Sequence, residues 1–322
     1  MATKVIAREH SVTALVEVPA AGTTPAARNP GRKKRAKASG ATSPVRSLLR
    51  RLFRATPVEA DALPHARFSQ TNLGVRSLAI AGHGGPTVVF EAGLGHGKRI
   101  WSAVFGPVSN VTRCVAYDRA GYGQSEPSPC GRDGLQVVHE LRNMLQGEKI
   151  APPYVLVGHS LGGTYMKLFA KTYPDEVAGV VLVDARHSEF TQRCRQLGVR
   201  RMFYDPPEAL LRGLSATARA ELQAAPLTQK QTRRAGPFPP VPLIVLTQSN
   251  VAAKWPAGLG RVWEASQRSL AKMSVLGRLK VCDDSGHNIH LDRPEVVVRA
   301  VLNVVRAARY VAHQARKKAR SA

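Results

Sequence analysis

Several absences narrow what this chain can be before any motif is found. No apolar run approaches the roughly 18 to 20 residues that a membrane-spanning helix needs, and the first 30 residues lack the apolar core of a secretory signal. A cytoplasmic setting is therefore the expectation. The four cysteines, Cys114, Cys130, Cys194 and Cys282, have no CxxC spacing, which excludes the usual zinc cluster and redox pair and leaves them as reduced thiols. Aromatic residues are only 6% of the chain. None interleaves with the basic runs Gly31–Lys37 and Arg316–Arg320, so no nucleic-acid-binding motif is visible.

Acidic residues are scarce at both ends. Residues 1–60 carry 12 Lys and Arg against 3 acids, and residues 299–322 carry 7 against none, so most of the formal charge of +25 belongs to the termini. Charge placed there speaks to solubility and partners and not to the fold. It implies a weak contact with an anionic surface through the basic ends, with no specific nucleic acid partner. Residues 1–60 have little to bury and read as a disordered basic extension. Within it, Ser47–Arg54 sets Leu48, Leu49, Leu52 and Phe53 opposite arginines as a short amphipathic segment.

What is present begins near residue 61, and the chain as a whole is 43% hydrophobic, enough to build a core. From residue 75 short β-rich runs alternate with helical patterns, the signature of βα units and a mainly parallel sheet. Strands are expected near 75–80, 87–91, 113–118, 154–158, 179–183, 242–247 and 278–282. Those near 154–158 and 179–183 are almost wholly apolar, as strands covered on both faces must be. Helical spacing appears over 134–146 and 161–173, and Pro294 opens a last helix through Val297, Val301, Val304 and Val305. This gives an α/β domain over 61–312, followed by a basic tail, 313–322.

One interval breaks the rhythm. Residues 186–240 hold helical patches and a Pro-rich exit but no strand run, which suits a lid over the carboxyl ends of the strands. Its apolar residues Phe190, Met202, Phe203, Tyr204, Leu210 and Leu211 fit either an apolar acyl or alkyl group or the lid's own packing.

The chemistry-bearing run is Tyr154-Val-Leu-Val-Gly-His-Ser-Leu-Gly-Gly163: an apolar strand, then Gly158-His159-Ser160-Leu161-Gly162, then a helix. A serine caught between strand and helix sits on a tight turn that exposes its hydroxyl. Glycines at 158 and 162 avoid collisions with neighbouring backbone. The helix beginning at Leu161 aims its N-terminal N–H groups and positive dipole end at the same place, which favours a developing negative oxygen.

With strand, GxSxG turn and helix in that order, the chain resembles the α/β-hydrolase superfamily from about residue 72 to 312. Further motifs follow the superfamily's order. Val88-Val-Phe-Glu-Ala-Gly-Leu-Gly95 resembles the strand and Gly-rich turn that supply one oxyanion-hole N–H, here from Leu94, with the other from Leu161. Tyr117-Asp-Arg-Ala-Gly-Tyr-Gly-Gln-Ser125 looks like the loop after the fourth strand, where Asp118 and Arg119 are expected to pair with each other or with backbone. Val281-Cys-Asp-Asp-Ser-Gly-His287 places His287, among ten histidines, at the catalytic-base position. His159 and His290 read as structural or pocket-lining.

The acid departs from the pattern. Relatives commonly carry it after the penultimate strand, but Pro242-Leu-Ile-Val-Leu-Thr247 is followed by Gln248, Ser249 and Asn250. The preceding strand, Val180-Val-Leu-Val-Asp-Ala185, ends in Asp184, a position some relatives use, so Asp184 is the expected acid, with Asp283 and Asp284 in reserve. The resemblance implies an acyl-serine hydrolase acting on a small ester or acyl substrate, with no metal or organic cofactor. Serine at the elbow separates it from relatives that use an aspartate nucleophile. The competing expectation is an inactive member of the fold that binds anionic partners through its ends.

Overall fold

The computed structural model describes residues 63, 65–199, 211–249 and 258–321. The apolar runs at its centre become one eight-stranded sheet in the order β1-β2-β4-β3-β5-β6-β7-β8. Its strands are β1 (Ala66–Thr71), β2 (Gly74–Ala81), β3 (Thr87–Glu91), β4 (Cys114–Tyr117), β5 (Tyr154–His159), β6 (Val177–Val183), β7 (Leu243–Gln248) and β8 (Gly277–Cys282). The pairings β1/β2 and β2/β4 are antiparallel; from β4 onward every pairing is parallel. All seven expected strands are present. The sequence reading lacked β1, whose residues are mostly polar and exposed, because an edge strand of that kind has no apolar alternation to reveal it.

Helices cover both faces. They are α1 (Ser102–Ser109), α2 (Gly134–Gly147), α3 (Leu161–Thr172), α4 (Phe190–Gln196), α5 (Ala216–Arg234), α6 (Leu259–Ala271), α7 (Ile289–Asp292) and α8 (Pro294–Ser321). Asp133 caps α2 by accepting from Gln136 N, and Ser215 caps α5 by accepting from Ala218 N. Strand alternation sorts the core into two layers. Val89, Val115, Leu156, Val180 and Leu182 meet α2, α3 and the end of α6. Val88, Phe90, Val155, Val157, Val181 and Val183 meet α1 and the valines of α8. β3 and β5, side by side at the centre of the sheet, are apolar on both faces for this reason.

The last helix continues unbroken from Pro294 to Ser321 and takes in the basic stretch 313–321. Residues 186–240 contain α4 and α5 and, among the described residues, no strand. Among the described residues no helix is long and apolar enough to cross a membrane. The amphipathic segment 47–54, the basic extension and the run 31–37 lie outside the described residues.

One charge sits poorly in this core. Lys167 of α3 is 1% exposed, and its Nζ donates to Arg186 O at 2.9 Å. Burial pushes its pKa down to about 7. Because the unfolded chain holds this proton up to its usual 10.5, the native state is penalised increasingly as pH falls from 10.5 toward 7. Lys167→Met should therefore raise stability at pH 7 by about 1–3 kcal/mol, since Arg186 O keeps its bond from Thr164 Oγ1 at 3.0 Å. Urea unfolding of both forms at pH 7 and pH 9 tests this; a destabilised Met variant would contradict it.

Candidate active site

The elbow is built from close backbone approach. Ser160, between β5 and α3, has φ 52° and ψ −116°, a conformation that costs a non-glycine residue on the order of 1–3 kcal/mol. Two bonds hold it there: Ser160 N donates to Val183 O at 3.1 Å, and Arg186 N donates to Ser160 O at 3.1 Å. A Cβ on Gly158 would come within 2.7 Å of Gly162 O, and one on Gly162 within 2.6 Å of Glu91 O. Real Cβ atoms do not approach so closely, so both positions need glycine for β3, β5 and α3 to converge. The result leaves Ser160 half-buried at the carboxyl end of the central strand, where the strand order reverses and open α/β sheets bind ligands.

Three side chains from three strand ends meet here. Ser160 Oγ lies 3.0 Å from His287 Nε2, and His287 Nδ1 lies 2.7 Å from Asp184 Oδ2. Every other group at the Asp184 oxygens is a donor, so His287 Nδ1–H donates to them as well, which leaves Nε2 as the acceptor for the serine hydroxyl. His287 is 8% exposed and Asp184 fully buried. Asp184 receives a full set of donors besides the imidazole: Thr247 Oγ1 at 2.9 Å, Gln248 Nε2 at 2.8 Å, Gln248 N at 3.3 Å and Trp263 Nε1 at 2.9 Å. Its φ of 44° is also in the left-handed region. Asp283 and Asp284 are exposed and do not contact the imidazole.

The gap after β7 thus has an explanation. Gln248, standing where a carboxylate is common, donates to the carboxylate of the neighbouring strand. Trp263 of α6 was missed by sequence reasoning; its ring also meets His287 edge-on at 5.8 Å and Phe190 at 5.3 Å. Nothing in the spacing of residues 258–271 distinguishes it from an ordinary core tryptophan.

The turn after β3 supplies Leu94, and α3 opens with Leu161. Neither backbone N–H donates to an acceptor among the described residues. A Cβ on Gly93 would lie 2.7 Å from His159 Nδ1 and 3.3 Å from Ser160 Cβ, so the turn lies directly against the elbow. His159 and His290 are both fully buried. His159 Nε2 donates to His287 O at 3.0 Å, its ring packs tilted against that of His290 with centroids 4.4 Å apart, and His290 packs tilted against Trp101 at 4.8 Å. Desolvation, then the neighbouring imidazoles, hold both well below the usual histidine pKa. They are neutral rings packed around His287.

Of the two pairings expected for Asp118 and Arg119, with each other or with backbone, the structure shows the second: Asp118 accepts from Lys98 N and Gln124 N, and Arg119 donates to Ala92 O and Gly93 O. Asp118 also takes Lys98 Nζ at 2.7 Å, whereas Arg119 also engages Glu91 and Glu221. Of the apolar residues expected in the 186–240 interval, Phe190 and Leu211 are buried packing residues; Met202, Phe203, Tyr204 and Leu210 lie outside the described residues. Among the described residues, no group of three or more His, Cys, Asp or Glu is placed to hold a metal ion.

Fold and site together define a class: an α/β domain with a serine elbow after β5, a buried carboxylate after β6 and an imidazole in the loop after β8. The family model described as "Alpha/beta hydrolase family" matches residues 88–300, and the chain belongs to that family. Membership supports hydrolysis as its chemistry. The chain is similar to the uncharacterised protein YqjL of Bacillus subtilis, 29% identical over 233 residues, covering 70% of this chain and 86% of that protein. Among solved structures it resembles a thermophilic esterase from Thermogutta terrifontis, at 21% identity and TM-score 0.54, over 76% of this chain and 98% of that one. It also resembles Est816, described as an N-acyl homoserine lactone degrading enzyme, at 18% identity and TM-score 0.51, over 74% and 100% of the two chains. At those identities the two structures speak to the fold alone.

Proposed function

We propose that this chain is a serine hydrolase that cleaves an ester or related acyl bond through an acyl-enzyme on Ser160. The observation that carries the reading is the pair of contacts at 3.0 and 2.7 Å linking Ser160 Oγ, His287 and Asp184. Ser160 Oγ attacks the acyl carbon as its proton passes to His287 Nε2, and the oxyanion accepts from the N–H groups of Leu94 and Leu161. Collapse breaks the bond to the leaving alcohol, which takes the proton from His287. Water then attacks the acyl-serine, giving its proton to Nε2; release of the acid returns that proton to Ser160. Asp184 holds the imidazole in the required tautomer and stabilises its charged form. No metal or organic cofactor enters these steps.

Residues 186–240 act as a lid over the mouth of this site. The setting proposed is the cytoplasm, which suits four unpaired thiols. The test is labelling of the full-length protein with a fluorophosphonate probe, followed by peptide mapping. Modification at Ser160, with hydrolysis of p-nitrophenyl acyl esters that disappears in Ser160→Ala, is the expected result. Folded protein that neither labels nor hydrolyses would replace this reading with that of an inactive fold that binds anionic partners.

A further inference from the structure

Arg119 follows β4 and is 2% exposed, and its guanidinium spends all five N–H donors inside the protein. Nη1 donates to Glu91 Oε1 and to Ala92 O, each at 2.6 Å. Nη2 donates to Gly93 O at 3.1 Å and to Glu221 Oε2 at 3.0 Å, and Nε donates to Glu221 Oε1 at 2.9 Å. Glu221 Oε2 also accepts from the Tyr122 hydroxyl at 2.9 Å. That hydroxyl in turn accepts from Gly95 N at 3.3 Å. The Tyr122 ring lies 4.7 Å beneath the guanidinium.

The turn after β3 is therefore gripped at Ala92 O, Gly93 O and Gly95 N, on either side of Leu94. A peptide unit is planar and trans, so its N–H points opposite to its C=O. Gly93 C=O and Leu94 N–H belong to one such unit. Drawing the Gly93 carbonyl inward onto Arg119 therefore turns the Leu94 N–H outward, away from the ion cluster. Arg119 can hold that plane only while its own fork is fixed. The carboxylate that fixes it on two sides comes from α5, within the 186–240 interval. Glu221 is fully buried and is the only acidic residue of α5.

We infer that Glu221 is a positioning residue for the Leu94 N–H: through Arg119 and Tyr122 it sets the peptide plane of the oxyanion turn, so the inserted segment is part of the catalytic apparatus as well as a cover. The inference rests on the acyl-serine reading given above. It assigns Glu221 no contact with substrate. Its effect should appear in transition-state stabilisation and not in substrate binding, because an oxyanion donor matters only once the charge forms.

The test compares wild type, Glu221→Gln and Tyr122→Phe as full-length proteins, with active sites counted by fluorophosphonate titration. Losing an oxyanion donor outright costs about 10²–10³ in kcat; a loosened peptide plane should cost about 10- to 100-fold in Glu221→Gln and less in Tyr122→Phe. KM should stay within about two-fold, and the second-order rate of fluorophosphonate labelling should fall in parallel with kcat. Tyr122→Phe leaves no buried charge unpaired and keeps the test alive if Glu221→Gln does not fold. A role confined to stability would lower the titrated fraction while leaving kcat per titrated site unchanged, and that outcome overturns the inference. Equal kcat and labelling rates in all three proteins overturn it too. A wild type that does not label at Ser160 removes the underlying hydrolase reading, a result distinct from either.

Discussion

Asp184→Asn is expected to lower kcat by about 10⁴-fold while the protein stays folded. Asparagine matches the shape of aspartate, and its single carbonyl can still accept from Thr247, Gln248 N and Trp263, which now converge on Oδ1. The other terminus becomes an NH₂ group facing two donors, Gln248 Nε2 and His287 Nδ1. Gln248 can turn its amide and offer oxygen. The imidazole can meet an N–H donor only by moving its own proton to Nε2, and an Nε2–H cannot accept from Ser160 Oγ, 3.0 Å away. The base is then present, in place and in the wrong tautomer. Steady-state hydrolysis of a p-nitrophenyl ester, with circular dichroism to establish folding, gives the measurement. Rates near wild type would move the acid's role to Asp283 or Asp284, whose Asn variants are otherwise expected to be close to neutral because both side chains are exposed.

This dependence on Asp184 also marks the boundary of what a sequence can disclose. Ser160 was legible because its constraints are local: the strand, the two glycines and the helix all lie within ten residues, and sterics at Gly158 and Gly162 follow from that order. The parallel strands were legible because burial on both faces leaves no polar positions in them. Asp184 was half legible. Its place at the end of β6 could be read, but Thr247, Gln248 and Trp263, which saturate its oxygens, arrive from 63 to 79 residues away and carry no motif. Arg119 shows the same limit. A nearby aspartate was the obvious partner, yet the guanidinium reaches Glu221, 102 residues on, because β4 and α5 pack around the turn after β3. Charge pairing in a buried network is decided by topology, which spacing along the chain does not encode.

The network of buried imidazoles leads to the second large effect, a loss of stability in mild acid. His159 and His290 have pKa values held well below the usual range, and His187 is pushed down to about 3, in each case first by burial and then by neighbouring positive groups. The His187 Nδ1 accepts from Glu189 N at 3.0 Å, a bond that protonation would destroy. A histidine whose native pKa is depressed stabilises the fold above its unfolded pKa near 6.5 and loses that contribution as pH falls. Below 6.5 the unfolded chain binds a proton at each of the three positions and the native state does not. Each can cost at most about 1.4 kcal/mol per pH unit, so the three together set a ceiling of roughly 4 kcal/mol per unit below pH 6.5. Glu91 works in the opposite sense, since burial raises its carboxyl pKa and protonating it relieves a desolvated charge. Equilibrium unfolding at pH 7.5, 6.5 and 5.5 should show a shallow fall over the first interval, part of it from Lys167, and a steeper fall over the second. His290→Phe, which keeps a ring against Trp101 and cannot be protonated, should reduce that slope by about a third. A stability that stays level down to pH 5.5 would mean that the buried imidazoles take up protons as readily in the folded protein as in the unfolded chain, which their burial should prevent.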